Sequence, residues 1–134
     1  MPDYALNNNP ILPANLANKK GVYIIIALRN GVRQPIPRIL KTDKNGILYI
    51  GQTTDQDFET RIKNFRTAMN PSNAADNHSG ALNIKQIKKL RDAFPIESLQ
   101  VEIFPSETPK FDETKRIEDY RQEFGEVPPL NGSK

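Results

Sequence analysis

One apolar run constrains the fold of this chain more than any other stretch. It extends from Gly21 to Leu28 and is apolar at odd and even positions alike. Because successive side chains of a strand point to opposite faces of a sheet, such a strand has to be buried on both faces. We therefore predict that it lies in the middle of a small sheet. A shorter β-rich run, residues 47–51, follows turn-forming residues that include Asp43, Asn45 and Gly46, and is predicted as a second strand.

Length and composition indicate one domain. The chain has 134 residues, of which 37% are hydrophobic and 11 are prolines, so we expect long polar connections. The absence of cysteine excludes a disulfide scaffold and any cysteine-based metal site or nucleophile. A single histidine excludes a multi-histidine metal site. We expect an extended N-terminal arm over residues 1–20 and a single domain over residues 21–134.

The sequence gives no sign of export or of a membrane span. Residues 1–20 lack the basic flank and apolar core of a secretory signal. No apolar run approaches the roughly 20 residues that a membrane helix needs. We therefore expect a soluble cytoplasmic protein. Its net charge of +3 permits an anionic partner without requiring one.

The spacing of apolar residues predicts three helices and a third strand. The first helix has Thr54 or Asp55 as its N-cap, and the second covers residues 83–94. Residues 99–104 alternate as a half-buried strand does. The last helix begins at Thr108 and Pro109 and ends before Gly125. Elsewhere, Asn30-Gly31 predicts a tight turn, and the two prolines in residues 32–41 predict an edge strand or a loop.

Four polar side chains stand out against these elements. Tyr23 and Tyr49 lie on the first two predicted strands, and Arg61 lies beside the apolar stripe of the first helix. Glu113 occupies a position of the last helix where its inward stripe would place an apolar residue. Each also has an ordinary structural explanation. The tyrosines could be amphipathic core residues, and the stem of Arg61 could cover apolar neighbours. Glu113 could simply interact favourably with the dipole at the helix N-terminus. Glu118 is a rival carboxylate on the same helix, off the inward stripe.

In their order along the chain, these residues resemble a known family. The motifs are Gly21-Val22-Tyr23, Tyr49-Ile50-Gly51, Arg61, Glu113 and Pro128-Pro129-Leu130-Asn131. This arrangement is similar to the GIY-YIG nuclease domain and covers residues 21–131. The resemblance implies an α+β fold with a small central, mostly antiparallel three-stranded sheet flanked by helices.

The resemblance also implies a function. The chain would be a divalent-metal-dependent endonuclease that hydrolyses DNA phosphodiester bonds, with Mg²⁺ or Mn²⁺ held by Glu113. Tyr23 would act as general base or position the water, and Tyr49 would position water or phosphate. Arg61 would pair with the scissile phosphate, and Asn131 would brace the site. The alternative is a non-cleaving module of the same fold that binds nucleic acid or protein.

Some features depart from the family pattern or lie outside it. Several members have a histidine one turn after the arginine, where this chain has Phe65. That role would pass to His78, to Tyr49 or to a lysine, or be absent; a solvated loop position is the alternative for His78. Candidate DNA-binding residues lie in the connection between the tyrosine motifs and on the second helix, each with a solvent-exposed alternative: Arg33, Arg38, Lys85, Lys88 and Lys89. The DNA structure cleaved and the oligomeric state stay open.

Overall fold

The structure is a computed structural model that describes residues 3–69 and 84–131. Its strands are β1 (Tyr4–Ala5), β2 (Gly21–Arg29), β3 (Val32–Arg33), β4 (Ile36–Pro37), β5 (Thr42–Asp43), β6 (Ile47–Thr53) and β7 (Leu99–Pro105). Its α-helices are α1 (Ala14–Ala17), α2 (Phe58–Met69), α3 (Ile84–Ala93) and α4 (Pro109–Phe124), with a 3₁₀ turn at Ile96–Ser98. Within these residues, no helix is long and apolar enough to cross a bilayer.

Strand β2 is the centre of the sheet, as its two-sided apolar pattern predicts. It pairs antiparallel with β6 on one side and with β7 on the other. Its residues from Gly21 to Ala27 are all buried. Strand β7 alternates between buried and half-buried positions, so it has the half-buried character expected of residues 99–104. The predicted α+β class with an antiparallel sheet is confirmed.

The sheet has more strands than the three predicted. In the described part of the chain it has five, because β1 pairs with β7 and β3 pairs with β2. The β2–β3 connection is the predicted turn, with φ of 55° at Asn30 and 78° at Gly31. Both extra strands have only two residues, too few to leave a periodic pattern in the sequence. Strands β4 and β5 form a separate two-stranded ladder, in keeping with the irregular segment expected there.

The N-terminal arm is packed into the domain. Leu6, Ile11 and Leu12 are buried, and β1 extends the sheet. The carboxylate of Glu59 on α2 accepts hydrogen bonds from the backbone N–H groups of Ile11 at 3.3 Å and Leu12 at 3.1 Å. The arm expected over residues 1–20 thus places three side chains in the core, whereas residues 7–10, 13–15 and 18–20 are exposed.

The two faces of the sheet are covered by different helices. Tyr23, Ile25 and Ala27 of β2 point to the face that packs against the buried side of α2. Val22, Ile24 and Ile26 point to the other face, where they pack with Tyr120 and Phe124 of α4. Helix α4 begins at Pro109 and ends at Phe124, and the following Gly125 has a left-handed φ of +85°, as predicted. The apolar spacing of the sequence predicts inward stripes on both helices: Phe58, Ile62, Phe65 and Met69 on α2, and Ile117, Tyr120 and Phe124 on α4. All of these are buried except Ile117, which is half-buried and packs against the same cluster, so both stripes are confirmed.

Helix α2 begins later than predicted. Strand β6 continues to Thr53, so neither Thr54 nor Asp55 is at the helix start. Instead, Asp57 Oδ1 accepts the backbone N–H of Thr60 at 2.9 Å, which is an N-cap bond. Hydrogen bonds from Thr60, first from its side chain and then from its backbone N–H, lower the pKa of Asp57. Thr54, Asp55 and Asp57 could each accept an N-cap hydrogen bond. Because β6 extends to Thr53, the helix starts late enough for Asp57 to be the cap.

A buried carboxylate ties the turn before β6 to α4. Asp43 is fully buried and accepts the backbone N–H groups of Asn45 at 2.8 Å and Ile47 at 3.2 Å. The Tyr120 hydroxyl donates a third hydrogen bond to its Oδ2 at 2.8 Å. The turn residue identified in the sequence is thus also the anchor of the last helix.

The Tyr120→Phe variant should therefore be less stable. It removes a hydrogen bond to a buried carboxylate while keeping the ring, and such bonds contribute roughly 1.5–3 kcal/mol. We expect the free energy of unfolding, measured by denaturant titration, to fall by that amount. Tyr4→Phe makes the same chemical change in the two-residue strand β1 and should stay within about 0.5 kcal/mol of the wild type. Equal losses in both variants would contradict an anchoring role for Tyr120.

Candidate functional site

Tyr23 and Tyr49 lie side by side on neighbouring strands. Tyr23 is opposite Gly51 in the β2–β6 register, and Tyr49 is opposite Ile25. The two phenol rings are therefore diagonal cross-strand neighbours on one face of the sheet. Their centroids are 6.1 Å apart with planes tilted by 52°. Each side chain is only 1% exposed, so both rings belong to the core as well as to the candidate site.

Gly51 makes room for this pair of rings. A Cβ atom at this position would lie 2.5 Å from Cζ of Tyr23 and 2.7 Å from Cε2 of Tyr49. Real Cβ atoms do not approach other atoms so closely, and the rings are rigid. The glycine that ends the second motif is thus required for space beneath the two phenols.

Arg61 and Glu113 join the tyrosines from two different helices. Arg61 is in the first turns of α2 and Glu113 is in the first turns of α4, and both are half-buried. Both charges act on both phenols: Arg61 lowers and Glu113 raises the pKa of each tyrosine. The structure therefore brings together four of the residues that the sequence singled out.

Burial dominates the ionisation of both phenols. It raises the pKa of Tyr23 to about 12, with Arg61 opposing the shift and Glu113 adding to it. Burial also raises the pKa of Tyr49, with Tyr23 and Glu113 adding to the shift. Both side chains are consequently neutral phenols at pH 7. In this form they offer hydroxyl groups for hydrogen bonding, and the phenolate that a general base requires is scarcely populated.

Asn131 acts on the backbone of the second motif. Its Oδ1 accepts the N–H of Ile50 and its Nδ2 donates to the carbonyl of Ile50, both at 2.9 Å. The N–H of Leu130 also donates to the carbonyl of Leu48 at 3.0 Å. These bonds hold the backbone of β6 between Tyr49 and Gly51. That Asn131 braces a catalytic site stays a prediction.

Comparison with known proteins gives no match. No family model, curated protein or solved structure is similar to this chain at a significant level.

The rival carboxylate on α4 is engaged elsewhere. Glu118 forms an ion pair with Arg121 and also accepts a hydrogen bond from Gln122 at 3.3 Å. The hydrogen bond from Arg121 is the largest cause of the lowered pKa of Glu118. Glu113, in contrast, acts electrostatically on both tyrosines. The structure thus favours Glu113 as the carboxylate of this site.

The arginines predicted to contact DNA take part in internal ion pairs. Arg33 lies 2.9 Å from Asp3 and 3.5 Å from Glu102, which links β3 to the arm and to β7. Arg38 lies 2.9 Å from Glu126 and donates to the carbonyl of Val127 at 2.7 Å. These contacts give both arginines a structural role, and their DNA contacts stay a prediction.

The remaining predicted residues are described only in part. Lys85, Lys88 and Lys89 are on α3, and the side chains of Lys88 and Lys89 are exposed. His78 lies outside the described residues. Lys19 and Lys20 were given no role from the sequence, although two adjacent lysines directly before Gly21 indicate positive charge next to the first motif. Both side chains are exposed.

The raised pKa of Tyr23 predicts a loss of stability at alkaline pH. An unfolded tyrosine ionises near pH 10, whereas Tyr23 in the folded protein ionises at about 12. Above about pH 10 the folded state therefore binds more protons than the unfolded state, and the free energy of unfolding falls as pH rises. Tyr23 alone should account for a loss of order 2–3 kcal/mol by about pH 12.

Denaturant titrations from about pH 7 to about pH 12 measure this effect. Tyr23→Phe should flatten the alkaline decline because phenylalanine does not ionise. Tyr4→Phe, which makes the same chemical change in strand β1, serves as the matched control. An equally steep decline in wild type and Tyr23→Phe would contradict the burial of an ionisable phenol at position 23.

Gly51→Ala should destabilise the protein and distort the site. The added methyl group overlaps the Tyr23 and Tyr49 rings, and overpacking of this kind typically costs about 1–3 kcal/mol. Near-ultraviolet circular dichroism should show changed packing of the two tyrosines. Gly31→Ala is the comparison, since a Cβ there meets nothing within 4 Å and only its left-handed φ of +78° resists the change. An unchanged tyrosine signal in Gly51→Ala would contradict the close packing.

Proposed function

We propose that this chain is a divalent-metal-dependent endonuclease that hydrolyses DNA phosphodiester bonds with a GIY-YIG-like site. One observation carries the proposal. Two phenols, one guanidinium and one carboxylate, supplied by β2, β6, α2 and α4, lie within electrostatic reach of one another. They are the residues on which the resemblance of the sequence depends. The expected cytoplasmic location belongs to the same proposal.

Phosphodiester hydrolysis needs an oriented water, neutralisation of charge on the phosphate and help for the leaving oxygen. Arg61 suits the second requirement, because its planar guanidinium can donate two parallel hydrogen bonds to phosphate oxygens. It lies in the first turns of α2, and its charge acts on both phenols. We assign Arg61 to the scissile phosphate.

The two phenols suit the orientation of water and phosphate. With a pKa of about 12, Tyr23 enters the reaction as a phenol, able to donate its proton in one hydrogen bond and to accept another. Tyr49 offers a second hydroxyl from the neighbouring strand. We assign Tyr23 to the attacking water and Tyr49 to water or a phosphate oxygen. Asn131 keeps the strand that carries Tyr49 in register.

A single carboxylate fits a hydrated magnesium ion. Among the described residues, no three acidic, histidine or cysteine side chains are grouped as a complete metal cage would require. Mg²⁺ in nucleic-acid enzymes is commonly held by one or two carboxylates, waters and substrate phosphates. We assign that ligand to Glu113. When bound, the ion would supply charge neutralisation at the phosphate and the leaving oxygen.

The test is cleavage of supercoiled plasmid by the purified protein with Mg²⁺, Mn²⁺ or EDTA. We expect nicking in either metal and none in EDTA. Glu113→Gln should abolish nicking while DNA affinity is kept, because the carboxylate that holds the metal is lost and the shape of the side chain is preserved. Tyr23→Phe should reduce the rate by about 10²-fold or more, in the range for loss of a group that handles the water.

Glu118→Gln is the matched control on the same helix. Its carboxylate is paired with Arg121, so its loss should leave nicking unchanged. Equal loss in Glu113→Gln and Glu118→Gln would contradict the assignment of the metal ligand. DNA binding by the wild type without nicking in any metal would favour the non-cleaving module.

A further inference from the structure

A cleft of about 480 Å³ lies between the residues that precede β2 and those that join β7 to α4. One wall is the end of the N-terminal arm and the other is the connection from β7 to α4. The lining residues are Asn18, Lys19, Lys20, Pro105, Ser106 and Glu107. The assigned roles of the tyrosines, Arg61 and Glu113 do not use any of them.

The backbone of the two lysines is fixed from both sides. The carbonyl of Lys19 accepts the N–H of Phe58 at 2.8 Å, and the carbonyl of Lys20 accepts the N–H of Ser106 at 2.9 Å. The next residue, Gly21, has φ of +155° and packs so tightly that a Cβ would lie 2.2 Å from the carbonyl oxygen of Phe104. The lysines are therefore held where the starts of α2 and β2 meet the end of β7.

The cleft is close to the residues proposed for catalysis. Tyr23 follows Lys20 by three residues of extended chain, a distance of about 10 Å at roughly 3.3 Å per residue. The opposite wall, residues 105–107, leads directly into α4 and to Glu113. A polynucleotide strand with its scissile phosphate at Tyr23 reaches this cleft within a few nucleotides.

The charge of the cleft suits phosphate. Among the residues that the structure describes, Lys19 and Lys20 take part in none of the ion pairs seen in the molecule. The pKa of Asp57 is lowered mainly by hydrogen bonds from Thr60, and the charge of Lys20 lowers it further. The carboxylate of Glu107 opposes the two ammonium groups, which leaves one positive charge in excess.

We propose that this cleft binds the backbone phosphates of a DNA strand next to the scissile phosphate, through Lys19 and Lys20. The inference rests on the proposed nuclease function and adds the phosphate-binding subsite. Lys19 and Lys20 could contact the DNA backbone even though Arg33 and Arg38 are held in ion pairs within the protein. Because such contacts recognise phosphates, this subsite binds DNA without reading base sequence.

The test is the salt dependence of binding, measured by fluorescence anisotropy with labelled duplex DNA and wild-type protein in EDTA. Each phosphate contact contributes about 0.9 to the slope of log affinity against log salt concentration. In the double variant Lys19→Gln/Lys20→Gln, we expect the slope to decrease by about 2. Glu107→Gln should strengthen binding, because it removes the negative charge from the same cleft.

Lys41→Gln/Lys44→Gln is the charge-matched control. Both lysines are exposed, and they flank Asp43, which contacts α4 near its far end. We expect this variant to keep the wild-type slope. An equal decrease in both double variants would overturn the cleft in favour of a general effect of net charge.

Two further outcomes separate this inference from the proposed function. An unchanged slope in Lys19→Gln/Lys20→Gln, with nicking by the wild type intact, would overturn the cleft alone. A wild type that neither binds nor nicks DNA would overturn the proposed function and the cleft with it. Thermal melts of each variant identify any loss of folding.

Discussion

The site depends on the pairing of β2 with a strand on each side. In this register Tyr23 is opposite Gly51 on β6 and opposite Ile103 on β7. A shift of one residue along β6 would turn every β6 side chain to the other face and move Tyr49 to the side of α4. Because both faces of β2 are buried by different helices, such a shift would also expose or crowd the core. The packing that stabilises the fold therefore holds the two phenols together.

The C-terminal segment supplies hydrogen-bond partners for the edge of β6 that does not pair with β2. Strand β6 pairs with β2 on one side only, and an unpaired edge leaves backbone groups without partners. Leu130 and Asn131 supply those partners for Leu48 and Ile50. The side-chain amide of Asn131 thus replaces the backbone of a further strand. A residue far along the chain therefore fixes the backbone of the strand that carries Tyr49.

Strong local signals predicted the elements that carry the site. The two-sided apolar run predicted β2, and Pro109 with Gly125 predicted both ends of α4. The packing of the arm had no such signal, because β1 has two residues and Glu59 binds backbone groups more than 40 positions away. The spacing of apolar residues also could not predict that Arg61 and Glu113 lie near the same two tyrosines, because it does not specify how α2 and α4 cross the sheet. Only the resemblance to the family led us to expect it.

A site with these charges would need further cations to hold DNA. The phenols are neutral, and the charges that act on both of them are one positive guanidinium, Arg61, and one negative carboxylate, Glu113. A phosphodiester would meet a guanidinium that attracts it and a carboxylate that repels it. A divalent ion on Glu113 would convert that repulsion into attraction. Lys19 and Lys20 would add positive charge outside the buried site, where ammonium groups stay hydrated and lose less solvation than in the core. Buried neutral phenols with cations at the rim would therefore combine a stable core with an anion-binding surface.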